Sequence, residues 1–131
     1  MRIYECLLEN RGQDAPSWYT GAEDRAVKIV EMALSGVDPL AEGAVDLMVD
    51  CLAGEAANFA LRGVTTGGLY LAGRVTTELI PALDQGQFLD NFLMRGSAEP
   101  TLRRTPVNII MDRNTALYGA ARLALESGCP E

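Results

Sequence analysis

The chain has 131 residues, 48% of them hydrophobic and 22% charged, which are ordinary proportions for a folded protein of one domain at most. The net charge of −7 argues against nucleic acid and anionic membrane surfaces as main partners, because both depend on clustered lysine and arginine. No apolar run approaches the roughly 20 residues of a membrane span, and the first residues lack the long apolar segment of a signal peptide. We therefore expect a cytoplasmic protein.

The cysteine and histidine content narrows the chemistry further. Cys6, Cys51 and Cys129 are widely spaced and odd in number, so neither a disulfide framework nor a zinc site is indicated. We expect these thiols to be buried or idle. The sequence contains no histidine, which removes the commonest general base and the commonest metal ligand. Acid–base chemistry would have to come from Asp, Glu, Lys, Tyr or Cys.

The amino-terminal residues predict a helix followed by a loop. Residues 1–10 carry apolar side chains at a helical spacing, on the face formed by Ile3, Tyr4, Leu7 and Leu8. No capping residue precedes them, so the start either frays or belongs to a longer chain. Residues 11–19 have the composition of a loop, which Trp18 and Tyr19 are expected to anchor to the body. An aromatic platform for a ligand is the alternative for these two residues.

Two capped helices are predicted next. Thr20-Gly21-Ala22-Glu23 matches a capping box and starts a helix that stops at Gly36. Asp38 as N-cap and Pro39 at the first position start a second helix, which runs to about Arg62. The polar residues of this second helix form one narrow stripe: Glu42, Asp46, Asp50, Asn58 and Arg62. Such a stripe favours a helix that is buried on most sides, against a sheet, with a solvated face rather than a metal site.

A strand–turn–helix unit follows the long helix. The segment Thr66–Arg74 places apolar residues between glycines, which is typical of a strand buried on both faces. Gly73 allows a tight turn and a close approach of the backbone to a ligand. A short helix is predicted over residues 76–83, with Pro81 bending or ending it. Ligands in open α/β sheets usually bind at such turns, so we expect a ligand site here.

The remaining residues predict a short helix, a second strand and a final helix. The short helix covers residues 87–93, and an arginine-rich polar stretch leads to Pro106. Residues 107–111 predict the strand, and Asn114 is expected to cap a last helix that ends at Gly128. The packed face of that helix is expected to contain Leu117, Ala120, Ala121 and Ala124. Because the connection between the two strands is long and helical, the strands should be parallel.

Two strands are fewer than a stable parallel sheet needs. The missing strands are expected either upstream in a longer protein or from a second copy of this chain. An open strand edge is a strong pairing surface. We therefore predict that the isolated chain associates, as a twofold dimer that uses this edge or the uncovered helix faces.

Three segments, in order along the chain, carry a family resemblance. The segment Gly67–Gly73 is similar to the Gly-Gly-apolar-apolar-apolar-Ala-Gly-Gly segment of bacterial glucokinases, which belong to the sugar-kinase branch of the actin-like ATPase superfamily. Thr105–Ile110 resembles the family's Ile-Pro-Val-apolar strand, and Asn114–Ala121 resembles its Asn-x-x-Ala-Leu-x-Gly-Ala-Ala helix. Phe88 and Phe92 lie where family members carry aromatics. The resemblance covers nearly the whole chain but only the C-terminal part of a family member.

This resemblance implies a fold and an activity. The fold class would be α/β: the C-terminal part of an actin-like ATPase (ribonuclease H-like) domain, helix-rich, with two parallel strands joined by a helical crossover and with residues 1–131 as a single partial domain. The family phosphorylates glucose at its 6-hydroxyl with ATP and Mg²⁺. Its phosphate turns, catalytic aspartate and sugar-holding residues lie upstream, so this chain is expected to be inactive alone. The alternative is a stand-alone oligomeric binding or assembly protein derived from a kinase.

By resemblance, the adenosine side of the nucleotide would lie against Gly67, Gly68, Ala72, Gly73 and Arg74. Backbone without side chains can approach a base and a ribose closely. The alternative is that the glycines only close a strand against a helix. Arg74 stands where the family has a second glycine, which puts full nucleotide affinity in doubt. Its side chain would protrude into the cleft, add a cation near phosphate, or point to solvent. No catalytic residue and no metal ligand is assigned to this chain.

Overall fold

The structure is a computed structural model, and it describes residues 2–65 and 67–128. Within these residues the chain is rich in helix, and the strands β1 (Leu69–Leu71) and β2 (Val107–Ile109) form one sheet. A short 3-10 turn lies at Gly96–Ala98. The helices are α1 (Arg2–Arg11), α2 (Ser17–Thr20), α3 (Arg25–Leu34), α4 (Pro39–Gly63), α5 (Arg74–Glu78), α6 (Ile80–Leu83), α7 (Gln87–Leu93), α8 (Glu99–Leu102) and α9 (Thr115–Glu126).

The longest helix, α4, occupies the centre of the core. Asp38 caps its start, because the Asp38 carboxylate accepts hydrogen bonds from the backbone N–H groups of Leu40 (2.8 Å) and Ala41 (3.3 Å). Pro39 fits the first turn, where a missing N–H leaves no helical bond unmade. The predicted start of this helix is therefore confirmed. A sheet was its predicted neighbour, but the main neighbours of α4 are the helices α3, α7 and α1.

Small side chains let these helices approach α4 closely. The buried positions of α4 include six alanines: Ala41, Ala44, Ala53, Ala56, Ala57 and Ala60. Because an alanine side chain occupies little volume, a neighbouring helix can pack close to the axis of α4. Most of the polar stripe of α4 is exposed, as predicted. Asp50 differs, because it is partly buried and its carboxylate accepts hydrogen bonds from the side-chain amides of Gln87 (2.8 Å) and Asn91.

An aromatic cluster attaches α1 and α2 to this core. Tyr4 is fully buried, and its ring centroid lies 5.4 Å from that of Trp18 and 5.2 Å from that of Tyr19. The Tyr4 hydroxyl donates to the Asp38 carboxylate (2.7 Å), and the Tyr19 hydroxyl donates to the Glu5 carboxylate (2.8 Å). Burial and the neighbouring Asp38 carboxylate raise the pKa of Tyr4 far above its usual value. The predicted anchoring role of the two aromatic residues in this loop is confirmed.

The predicted capping box is wrong, and Asp24 caps α3 instead. The Asp24 carboxylate accepts a hydrogen bond from the backbone N–H of Val27 (3.3 Å). Thr20 does not cap α3, because it is the last residue of α2 and its hydroxyl donates to the backbone carbonyl of Ser17 (3.2 Å). This helical turn also lies within the segment that was predicted as a loop. The predicted stop is confirmed, since Gly36 adopts φ = +65° just after α3.

The two strands pair as predicted, in parallel, with Leu69 opposite Val107 and Leu71 opposite Ile109. These four side chains are partly buried and pack against the hydrophobic core. Tyr70 points to the other side of the sheet, and it is 62% exposed. The expectation of burial on both faces is therefore wrong for the described residues, because this part of the chain covers one face only.

The crossover between the strands consists of short helices joined by turns. The predicted helix over 76–83 is two pieces, α5 and α6, which separate at Leu79, and Pro81 lies in the first turn of α6. The break therefore comes before Pro81, which lies at the start of the second piece rather than bending or ending the first. The helix α7 is confirmed at its predicted bounds, with Phe88 and Phe92 buried. The arginine-rich stretch contains α8, which the sequence analysis missed and which buries Leu102 in the core.

The last helix is placed correctly, but its environment is not the predicted one. Asn114 makes no capping side-chain bond; its backbone N–H donates to the Asp112 carboxylate (2.8 Å). Every described residue of α9 is exposed, so the packed face predicted for this helix is wrong for the part of the chain that the structure describes. Gly128 follows the helix with φ = +62°, which confirms its end.

The cysteines and the helix lengths complete the description. Cys6 and Cys51 are exposed free thiols, which excludes burial and leaves the alternative of idle thiols for both, whereas Cys129 lies outside the described residues. Among the described residues, no helix combines the length and the apolar character that crossing a membrane requires.

Candidate functional site

The turn between β1 and α5 is the candidate ligand site. Ala72 and Gly73 connect the strand to the helix, and Arg74 is the first residue of α5. Gly73 adopts φ = +107°, a conformation that glycine reaches readily and other residues rarely do. A Cβ built on Gly73 would meet no atom within 4 Å. The turn therefore presents bare backbone to open space, as a close approach by a planar ligand requires.

Hydrogen bonds within the first turn of α5 hold this backbone in place. The backbone N–H of Thr77 donates to the carbonyl of Gly73 (3.2 Å), and the hydroxyl of Thr76 donates to the carbonyl of Ala72 (3.4 Å). Thr76 is also buried, which fixes its side chain under the turn. The position of the candidate wall is thus set by the core beneath it.

The glycine pair before β1 has a different role. Gly68 adopts φ = +102°, and a Cβ there would lie 3.0 Å from the carbonyl oxygen of Pro106. The backbone N–H of Leu69 donates to the same carbonyl (2.8 Å), so Gly68 lets β1 begin directly against the residue before β2. Gly67, in contrast, has open space around it.

The five proposed nucleotide-binding residues therefore form two groups. Gly67 and Gly68 precede β1, whereas Ala72, Gly73 and Arg74 follow it. A strand advances about 3.3 Å per residue, so β1 separates the two groups. The structure brings the second group together in one turn and leaves the first group at the other end of the strand.

Arg74 reaches across to α3 and forms an ion pair with Asp24. The hydrogen bond from the Val27 backbone and then the Arg74 guanidinium lower the pKa of the Asp24 carboxyl group below its usual value. Arg74 keeps about half of its side chain exposed (52%), so this is a surface pair. Its guanidinium neither points freely to solvent nor stands unpaired beside the turn.

Sequence analysis did not identify Asp24 as part of this site. The ion pair joins residues 50 positions apart, and no local pattern encodes that separation. The available signal was the acidic residue directly before an apolar helical pattern, which is a common N-cap arrangement. Thr20 gives the same kind of signal four residues earlier, so the local pattern does not decide between the two caps.

An apolar cavity of about 160 Å³ lies beside the turn, between α1, α3, α4 and α5. Arg74 and Glu78 line it, together with apolar residues that include Ile29, Met48 and Leu79. Binding pockets for drug-sized ligands have volumes of roughly 300–1,000 Å³. At about 160 Å³, this cavity is too small to hold a nucleotide.

The described residues do not fit the magnesium–phosphate end of a nucleotide. They bring together no group of three or more acidic or cysteine side chains that could hold a metal ion. Magnesium in proteins is held by carboxylate oxygens and by substrate phosphates. The partly buried carboxylate on α4, Asp50, is already bound by two side-chain amides. What the turn offers is exposed backbone at Gly73, with open space beside it.

Comparison with known proteins gives the family. A family model described as Glucokinase matches residues 1–127. The chain belongs to the glucokinase family. It is 34% identical to the glucokinase of Synechocystis sp. over 126 residues, which are 96% of this chain and 34% of that protein. It is 38% identical to the glucokinase of Nostoc sp. over 101 residues, which are 77% of this chain and 30% of that protein.

A solved structure shows the same fold. The crystal structure of a glucokinase from an Antarctic psychrotroph superposes on this chain with a TM-score of 0.73 and 22% sequence identity. The superposition covers 95% of this chain and 37% of the chain in the crystal structure. The predicted fold class, part of a sugar-kinase (actin-like) fold with two parallel strands, is confirmed. The chain spans about a third of the length of the curated glucokinases that it matches.

Proposed function

We propose that this chain is the C-terminal part of a glucokinase-like sugar kinase, acting in the cytoplasm as one partial domain. In the complete protein, the reaction would transfer the γ-phosphoryl group of ATP to the 6-hydroxyl of glucose. The observation that carries this proposal is the match to the glucokinase family over residues 1–127. The parallel pairing of β1 with β2 supports it, because two of the segments that resemble the family contain these strands.

The chain alone should not phosphorylate glucose. Phosphoryl transfer needs metal-bound phosphates and a carboxylate that takes the hydroxyl proton. The described residues supply no candidate metal cluster, and two carboxylates near the β1–α5 turn are already paired, Asp24 with Arg74 and Glu78 with Arg113. The catalytic and sugar-holding groups would therefore come from the remainder of the kinase.

The contribution of this chain would be the adenosine side of the ATP site. Ala72 and Gly73 would lie against the base or the ribose, because their backbone faces open space. Gly67 and Gly68 would act at the other end of β1, where Gly68 fixes the strand against Pro106. In the described residues no charged group other than Arg74 belongs to this turn.

Arg74 would weaken nucleotide binding relative to the glycine found in the family. Its side chain adds bulk beside Gly73, and its charge is already matched by Asp24. A nucleotide phosphate would have to compete with the Asp24 carboxylate for the guanidinium. Replacing Arg74 with glycine would remove the bulk and the ion pair together.

The uncovered helix α9 favours a second candidate function. A stand-alone oligomeric binding or assembly protein derived from a kinase would also need a partner for this helix and for the two-stranded sheet. The coding sequence immediately upstream distinguishes the two candidates. A continuous reading frame that encodes the phosphate turns and further strands would contradict the stand-alone protein.

Titration with ATP and with adenosine, followed by amide NMR, tests the nucleotide proposal. The expected result is that both ligands shift the amide signals of Ala72–Val75 and of the start of α3, and that Arg74→Gly strengthens binding of ATP. Asp50→Asn, which lies on the distant α4 stripe, serves as a control and should leave both titrations unchanged. Shifts confined to other parts of the chain, or no shifts at millimolar ligand, would contradict a nucleotide wall at this turn.

A further inference from the structure

The apolar cavity between α1, α3, α4 and α5 has a volume that suits a small ligand. It measures about 160 Å³. Protein interiors contain few voids larger than a water molecule, so a cavity of this size is an unusual feature of a core. An apolar cavity of about 150 Å³ is large enough to bind benzene or xenon. The nucleotide proposal places its ligand against the Gly73 backbone and makes no use of this cavity.

Two alanines on packed helices make room for the cavity. Ala26 on α3 and Ala44 on α4 both line it. Their side chains are short, so a larger residue at either position would occupy part of the cavity. Larger apolar side chains complete the wall, and they include Ile29, Met48 and Leu79.

The inner wall of the cavity offers little to water. Among the described residues, the one polar side chain that α1, α3 and α4 contribute to the lining is that of Tyr4. Its hydroxyl donates to the Asp38 carboxylate (2.7 Å). Burial and this carboxylate raise the pKa of Tyr4, so the hydroxyl stays protonated and keeps its bond. A buried water typically makes about three hydrogen bonds, whereas an apolar molecule needs none, so this wall favours an uncharged apolar occupant.

Helix α5 forms the mouth of the cavity. Arg74, Val75 and Glu78 line it, and all three are at least partly exposed. The charges of the two polar residues are matched, Arg74 by Asp24 and Glu78 by Arg113. Val75 is apolar and yet 52% exposed, so an apolar molecule in the mouth would remove part of its surface from water. The cavity therefore reaches the surface at a place where an apolar contact is still available.

We propose that this cavity is a binding site for a small, uncharged, apolar molecule of about the size of a benzene ring. The volume, the apolar wall and the exposed Val75 at the mouth all indicate this class of ligand. A charged ligand would lose its hydration without gaining a free partner from the inner wall, which disfavours it. The site is separate from the nucleotide turn, and its assignment does not rest on the proposed kinase function.

Titration of the full chain with benzene, followed by methyl NMR, tests the proposal. The expected result is a saturable shift of the methyl signals of Ile29, Met48 and Leu79, because the ring current of bound benzene acts on nearby methyl groups. The methyl signals of Leu117 and Leu125 on exposed α9 should not change. Pyridine is a ring of the same size with a polar nitrogen that the inner wall would leave unpaired, so it should bind about tenfold more weakly or worse.

Cavity-filling variants test where benzene binds. Ala26→Leu and Ala44→Leu should each weaken benzene binding about tenfold or more, since the added carbons occupy the space of the ring. Ala121→Leu makes the same chemical change on exposed α9, and this matched control should leave binding unchanged. Ala26 is only partly buried, so Ala26→Leu keeps the test decisive where Ala44→Leu does not fold.

The remaining outcomes separate this site from the nucleotide turn. The absence of saturable shifts at the cavity methyl groups, equal shifts on α9, or undiminished binding by folded Ala26→Leu would overturn the site. Equal binding of pyridine would overturn the apolar class of ligand. Displacement of benzene by adenosine would make the cavity part of the nucleotide site and overturn a separate one. Benzene binding as expected, with no effect of adenosine on the signals of Ala72–Val75, would support the cavity and contradict the nucleotide proposal.

Discussion

Helices α4 and α9 are both apolar, yet the fold buries one and leaves the other exposed. Ala53 and Ala57 of α4 have no exposed surface (0%), whereas Leu117 and Leu125 of α9 are 68% and 85% exposed. Both helices carry apolar residues at a helical spacing, so periodicity does not distinguish them. The difference is that α3, α7 and α1 pack on α4, whereas none of the residues that the structure describes buries α9. An apolar helical face predicts that something packs on a helix, but it does not say whether the same chain supplies the contact.

Truncating one large side chain in each region should give the largest difference. Phe92 is 1% exposed on α7, which packs on α4, so Phe92→Ala should lower the free energy of unfolding by about 3–5 kcal/mol. Leu117→Ala on α9 should change it by less than about 0.5 kcal/mol. Urea denaturation followed by circular dichroism measures both variants. A comparable loss in the two would show that α9 is packed in the isolated chain.

Enlarging a small side chain sharpens the same comparison. Ala57→Leu inserts volume where α4 has no exposed surface, and it should cost about 1–3 kcal/mol of stability. Ala121→Leu makes the same chemical change on exposed α9, where it should be within about 0.5 kcal/mol of neutral. Thermal unfolding of the two proteins gives the comparison directly. A neutral Ala57→Leu would contradict close packing of helices on α4.

The caps of the two helices should also differ. Asp38→Ala removes the hydrogen-bond acceptor at the start of α4 and should cost about 0.5–2 kcal/mol, with the larger values favoured because Tyr4 also donates to Asp38. Asn114→Ala should have almost no effect, since the Asn114 side chain makes no capping bond. The pair is measured by urea denaturation. If Asn114→Ala costs as much as Asp38→Ala, the side chain of Asn114 caps α9 after all.

The smallest effect is expected for Asp24 and depends on pH. The Val27 backbone and Arg74 lower the folded-state pKa of Asp24 below its usual value of 3.8. The contribution of Asp24 to stability is therefore present above pH 3.8 and is lost as the pH falls through the folded-state pKa. Asp24→Asn should reduce stability slightly near neutral pH and have no effect in strong acid. A loss that grows as the pH falls would reverse the sign of this argument.

Local signals account for the part of the fold that sequence predicted. Asp38 and Pro39 start α4 because a carboxylate cap and a missing N–H act within one turn. The parallel pairing of Leu71 with Ile109 followed from a long helical connection, which antiparallel strands do not need. The turn at Gly73 was also predicted, since its positive φ is a property of the residue and its immediate neighbours.

Contacts between distant residues account for what sequence missed. Gly68 and Gly73 give the same local signal, but only Gly68 is confined by Pro106, which lies far along the chain. The ion pair of Arg74 with Asp24 spans 50 positions, and it is none of the three arrangements that the sequence suggested for Arg74. The exposure of α9 depends on what surrounds the helix, and its own residues do not encode those surroundings.

Hydrogen exchange of the isolated chain tests most directly whether its α9 lacks a neighbour. The amides of α4 between Ala53 and Ala60 should exchange only through global unfolding, because they are buried in the core. Those of α9 should exchange orders of magnitude faster, and should become protected when the remaining portion of the kinase is bound. Equal protection of α4 and α9 in a monomer of the isolated chain would contradict this account.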